Sequence, residues 1–144
     1  MGPGGRIFRG GEGKTGMGKI IVVVEDLISL SSIQQTAKLV AVPVEAAEAK
    51  DLATRLEQDA IAAVILDLNN RSGNAIETVR ALKTDAKTRS VPVVGFLAHV
   101  RADIAEAAKA AGCDVVLARS AFFRQLPTLL LRFQTPPSAG SQKV

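Results

Sequence analysis

Apolar and polar positions follow two different rhythms along this chain. Five short runs are mostly apolar, over residues 19–24, 39–44, 61–67, 91–97 and 114–118. Runs of this length, bounded by turn residues, read as strands buried on both faces of a sheet. Between them, apolar residues recur at the three- and four-residue spacing of helices. One helix is expected over 27–38. A second, over 45–58, carries Ala46, Ala49, Leu52, Ala53 and Leu56 on one stripe. A third spans 74–84, with Ile76, Val79 and Leu82 inward and Lys83 facing water. The Ala-rich helix over 101–111 stops at Gly112, a good residue just past a helix end. The last helix is expected to start at Leu126-Pro127, with proline in its first turn, and carries Leu129, Leu130 and Phe133. Pro92 stands near the start of the fourth strand, where a missing donor is tolerated.

Five strand–helix units in a row imply an α/β architecture: a doubly wound, five-stranded parallel sheet with helices on both faces. An eight-fold barrel would need about twice the length. The expected domain covers 18–133. Residues 1–17 and 134–144 are rich in Gly, Pro and Ser and are expected to be disordered.

Two of the apolar runs end on acids. Ile20-Ile21-Val22-Val23-Val24 leads into Glu25-Asp26, and Ala62-Ala63-Val64-Ile65-Leu66 ends on Asp67. In open parallel sheets, sites form at the C-terminal ends of the strands. If the two strands are neighbours, three carboxylates share one edge. At ~4 Å and an effective dielectric of ~20, each like-charge contact costs roughly 4 kcal/mol. Such a cluster needs a cation, a proton or a route to solvent, and a small divalent ion with oxygen ligands is the natural answer.

Composition narrows the classes. The 144 residues include five Phe but no Trp or Tyr, which argues against stacking platforms for single-stranded nucleic acid. The net charge of +4 is concentrated at the ends, on Arg6, Arg9, Lys14 and Lys143 against Glu12, so the body is near neutral and carries no nucleic-acid footprint. The single cysteine, Cys113, forms no internal disulfide and fits a reducing cytosol. It reads as a small residue entering a strand. No apolar stretch approaches the ~20 residues of a membrane span, and the N-terminus lacks the apolar core of a signal peptide. A cytoplasmic location is expected. Gly11 to Gly16 spells G-x-G-x-x-G, and Gly13 to Lys19 spells most of a phosphate-binding loop. Both work only between a strand and a helix, whereas here they precede a strand.

The segment from Gly18 to Phe133 resembles the receiver domain of bacterial response regulators, a flavodoxin-like fold. The resemblance rests on Ile21-Val22-Val23-Val24-Glu25-Asp26, Val64-Ile65-Leu66-Asp67-Leu68-Asn69, Val91-Pro92-Val93-Val94 and Gly112-Cys113-Asp114-Val115-Val116-Leu117, in that order on five strand–helix units. It implies that Asp67 is the phosphoacceptor. It also implies that Glu25, Asp26, Asp67 and the backbone carbonyl of Asn69 hold Mg²⁺. The implied partners are a histidine kinase, a phosphotransfer protein or an output protein. Phe122, Phe123, Leu126, Leu129 and Leu130 read first as core. The alternative is a homodimer or partner surface on the fourth helix, fifth strand and fifth helix, which the family often uses.

Other positions depart from the family pattern. Leu97, followed by Ala98 and His99, stands where a Thr or Ser hydroxyl would bond the phosphoryl group. Arg119 replaces the usual Lys as the phosphoryl contact and Ser120 the usual Pro, while Val116 replaces the usual aromatic. Arg keeps the charge but is planar and bidentate. The chain is thus similar to a degenerate receiver, which accepts phosphate weakly or acts as a phosphate-independent interaction module. His99 reads as a loop histidine without a special task. A flavin- or nucleotide-binding flavodoxin-like domain is the alternative. It would need a phosphate loop after the first strand, where Ser29, Ser31 and Ser32 fall inside a helix without glycine. Nothing resembles a nucleophile–His–acid set, so no enzymatic activity is expected.

Overall fold

The structure, a computed structural model, describes residues 18–58, 60–69, 75–98 and 102–134. The Gly11 to Gly16 motif, residues 13–17 of the second glycine motif, His99 and the expected disordered ends lie outside the described residues, Gln134 excepted; Lys19 of the second motif opens the first strand. Strands β1 (Lys19–Val23), β2 (Val44–Ala46), β3 (Ile61–Asp67), β4 (Val93–Leu97) and β5 (Val115–Ala118) form one sheet. Helices α1 (Leu27–Leu39), α2 (Leu52–Gln58), α3 (Ala75–Thr84), α4 (Ala102–Ala111) and α5 (Arg119–Gln134) connect and cover them. The strand order is β2-β1-β3-β4-β5, and every pairing is parallel. This is the doubly wound α/β sheet that the pattern of runs predicts.

Strand periodicity divides the core in two. Ile20, Val22, Ala63, Ile65, Val94 and Phe96 pack on one face against Ile33 of α1 and Phe122, Leu126 and Leu130 of α5. Ile21, Val23, Val64, Leu66 and Val93 pack on the other face against Leu52, Val79, Leu82 and Ala108 of α2, α3 and α4. At Gly95 in β4, a Cβ would fall 2.7 Å from the Leu68 side chain, so glycine lets the residue after Asp67 fold back onto the sheet.

Four expectations are corrected. The apolar run over 39–44 spans a helix end and a turn, and the edge strand begins only at Val44. Leu39 completes α1, Val40 caps it and Ala41 adopts φ 59°. The Ala41 N–H donates to the Lys38 carbonyl at 3.2 Å and the Val42 N–H to the Ala37 carbonyl at 2.9 Å, closing a Schellman turn. The expected helix over 45–58 is shorter, a 3₁₀ turn at Ala49–Asp51 leading into α2.

The last helix starts not at Leu126 but at Arg119, directly after β5, and runs through Pro127 to Gln134. An interior proline costs ~3 kcal/mol. Burial of Phe122, Leu126, Leu129 and Leu130 on one stripe contributes roughly 1.5–3 kcal/mol for each side chain, which outweighs it. These four residues are core, as the default reading has it. Lys83 does not face water. Its Nζ donates to the carbonyls of Val91 at 2.8 Å and Arg89 at 3.1 Å and pairs with Asp114 Oδ2 at 2.7 Å.

Candidate phosphoacceptor site

Sheet register alone brings the acids together. Strands β1 and β3 are adjacent, with Val23 opposite Leu66, so Asp67 ends its strand beside the segment that leaves β1 through Val24, Glu25 and Asp26. Asp67 is half-buried, and its Oδ1 accepts a hydrogen bond from the Asn69 N–H at 2.9 Å. Burial pushes its carboxyl pKa up, the Asn69 N–H and Arg119 oppose the shift, and the charges of Asp26 and Glu25 add to it. The three expected acids are therefore electrostatic neighbours at one edge.

Asp26 is also the N-cap of α1. Its Oδ1 accepts from the Ile28 N–H at 3.0 Å, and its Oδ2 accepts from the Ser29 hydroxyl at 2.7 Å and from Arg119 Nη2 at 3.4 Å. The Ser29 bond, the Ile28 N–H and Arg119 together hold its pKa below the usual carboxylate value. Ser29 itself is fully buried, so its hydroxyl is spent on Asp26 rather than offered to a nucleotide phosphate. Its role was not legible beyond its place in a helix, although a serine three residues after an N-cap acid is a usable signal.

Asn69 carries a second tie. Its side-chain oxygen accepts from the Ala98 N–H just past β4, fixing the turn after Asp67 to the neighbouring strand end. Leu97, the last residue of β4, is buried in the aliphatic core and presents no donor. Val116 lies within β5 and packs partly buried against the same core.

Arg119 opens α5 instead of lying in a loop, and the described residues contain no cis peptide bond. Its guanidinium carbon sits 5.3 Å from the ring centroid of Phe123, one helical turn on. Phe123 meets Phe122 edge-on at 4.9 Å and Phe96 at 5.9 Å. Phe96 is paired with Asp67 across the β3–β4 ladder. An aromatic thus supports the cation from α5, although the aromatic expected within β5 is missing. Sequence reading missed Phe123 because it placed the helix start beyond it.

The donor types at this edge, carboxylates and a backbone carbonyl, suit a hard divalent cation such as Mg²⁺. Among the described residues, no group of three or more His, Cys, Asp or Glu side chains is gathered closely enough to hold a metal ion. The guanidinium of Arg119 is the cation found on Asp26. The donor types match the chemistry of the metal, while Asp26 is engaged by α1 and Arg119 and the three acids are not drawn together into a ligand set.

No family model matches the sequence, and no curated protein does. Solved structures do match. A phosphorylated cyanobacterial phytochrome response regulator is 19% identical with a TM-score of 0.69, covering 83% of this chain and 98% of its own. A chemotaxis response regulator of Vibrio cholerae is 18% identical with a TM-score of 0.69, covering 81% and 98%. The receiver domain of a sensor histidine kinase from Pseudomonas aeruginosa, with magnesium coordinated in its active-site cleft, is 17% identical with a TM-score of 0.70, covering 81% and 97%. The chain has the receiver fold, spanning nearly the whole length of these domains. No helix among the described residues is long and apolar enough to cross a membrane.

Proposed function

We propose that this chain is a receiver-like signalling module of a two-component phosphorelay, with Asp67 as a weak phosphoacceptor. The observation that carries the reading is Asp67 itself. It is a half-buried carboxylate at the C-terminal end of the central strand, flanked by the acids after β1 and within the field of Arg119. The partner is a protein that carries a phosphohistidine. One Asp67 oxygen attacks the phosphorus, the P–O bond forms as the N–P bond breaks, and the electron pair returns to the imidazole nitrogen. Its raised carboxyl pKa makes Asp67 a better nucleophile than Asp26, whose pKa is lowered.

Mg²⁺ held by Glu25, Asp26, Asp67 and the Asn69 carbonyl would neutralise charge on the moving phosphoryl group. Two solved structures of the same fold, one with magnesium coordinated in its active-site cleft and one a response regulator in a Mn²⁺-bound form, support that assignment by analogy of fold. Arg119 contributes the positive charge that the family takes from Lys. Leu97 donates nothing, and the loss of one donor to a charged group costs roughly 1–3 kcal/mol, about 5- to 150-fold in an equilibrium. Acceptance is therefore weak. The serines of α1 form no phosphate cradle, so the flavin or nucleotide reading has no observation in its favour.

The test is incubation with Mg²⁺ and a small phosphodonor, followed by intact mass. A single phosphoryl adduct is expected, absent in Asp67→Ala. No adduct in wild type, or an adduct that persists in Asp67→Ala, would overturn the reading.

A further inference from the structure

We propose that Arg119 is the built-in counter-cation of the acidic edge, competing with a divalent metal for Asp26. The inference rests on the reading of this edge as a metal and phosphoryl site and adds a regulation to it. Three observations support it. Arg119 Nη2 lies 3.4 Å from Asp26 Oδ2, the carboxylate that caps α1 just after β1. Its direction is fixed from behind: the Phe123 ring lies beneath it, supported in turn by Phe122 and Phe96 in the core. Its backbone is fixed too, because α5 begins at Arg119 with no connecting loop after β5.

Arg119 therefore supplies one of the positive charges that three neighbouring carboxylates call for, and it supplies it at Asp26. A metal entering the edge must take Asp26 from the guanidinium while Ile28 and Ser29 keep hold of the same carboxylate. The result is an acidic edge that is partly neutralised at rest, at Asp26, and has lowered metal affinity. Phosphoryl acceptance, which needs the metal, is lowered with it. The ion pair is partly exposed, with side chains 33% and 43% accessible, so the competition is modest.

The experiment is a Mg²⁺ titration followed by amide NMR on the full chain. Arg119→Ala is expected to bind Mg²⁺ about two- to fivefold more tightly than wild type, the scale of an exposed ion pair. Arg119→Gln, which keeps length and planarity without charge, should behave like Arg119→Ala even if the shorter side chain disturbs α5. Arg119→Lys should restore most of the competition. Equal Mg²⁺ affinity in wild type, Arg119→Ala and Arg119→Gln would overturn the proposal. Asp26→Asn separates the two levels. If it abolishes binding while the Arg119 variants match wild type, the metal site stands and the competition fails. If it leaves binding unchanged, the site reading fails and the competition with it.

Discussion

Lys83 offers the sharpest quantitative test of the packing, because one ammonium ties three separate segments. Its Nζ reaches the Val91 carbonyl at 2.8 Å, the Arg89 carbonyl at 3.1 Å and Asp114 Oδ2 at 2.7 Å. The same Asp114 oxygen accepts from the Val93 N–H at 2.8 Å. The end of α3 is thereby bound to the starts of β4 and β5. Only 13% of the Lys83 side chain is exposed, against 45% of Asp114. An exposed pair contributes ~0–1 kcal/mol and breaking a buried one costs ~3–5 kcal/mol, so this half-buried staple falls between, at about 2 kcal/mol. Lys83→Met is the clean perturbation, since it keeps the stem that packs over Gly112. At roughly 4 °C per kcal/mol for a domain of this size, the melting temperature should fall by about 8 °C. Far-UV circular dichroism follows the melt, because the chain has no Trp or Tyr to report by fluorescence. Asp114→Asn should cost less, about 1 kcal/mol, since its amide oxygen still accepts from Val93. Lys87→Met, on the exposed turn nearby, should stay within about 0.5 kcal/mol. A Lys83→Met melt within about 2 °C of wild type would mean that water replaces the staple at no cost, and the burial argument would be wrong.

Two further outcomes are expected. Burial raises the Asp67 pKa, so this group favours folding below its unfolded pKa of 3.8, and that contribution is lost as pH rises through the folded value. Asp67→Asn, which retains an acceptor for the Asn69 N–H, should therefore raise the urea midpoint at pH 7, with the gain shrinking toward pH 4; a lower midpoint at neutral pH would refute this. Ala41 sits at φ 59°, where a non-glycine residue costs roughly 1–2 kcal/mol. Ala41→Gly should stabilise by about 0.5–1 kcal/mol after the unfolded-state penalty, and a lowered urea midpoint would refute the strain.

The sheet was legible because its signal is local. Ile61–Asp67 is a strand with the bounds expected for it, since its alternate residues all meet core and an acid ends the run. Strand order was not legible: the adjacency of the strands before Glu25-Asp26 and Asp67 stood as a condition, which the observed order β2-β1-β3-β4-β5 meets. What failed was long-range or competitive. Lys83 borders a clear apolar stripe, and its partners lie in later turns that periodicity does not reach. The run over 39–44 is apolar throughout, yet the Schellman turn at Ala41 divides it, and no glycine marks the break. At α5, proline is a strong start signal, and the burial of Phe122 upstream overrode it.

That last misreading matters most for the site, because the two halves of the acidic edge are held by different physics. Asp67 ends β3, where sheet register fixes it, and Glu25 and Asp26 follow β1 directly, with Asp26 held as the N-cap of α1. Arg119 sits on the first residue of a helix whose inner stripe is core on the same face as Phe96. Moving its backbone would pull Phe122 and Leu126 from that core, at roughly 1.5–3 kcal/mol for each side chain. Swinging its side chain away from Asp26 breaks only a partly exposed, solvent-screened ion pair. Rearrangement at this edge is therefore far cheaper through the guanidinium rotamer than through α5. A partner that distinguishes the paired from the released state must read Arg119, Asp26 and the exposed Leu27 and Ile28 beside them, rather than a shifted helix.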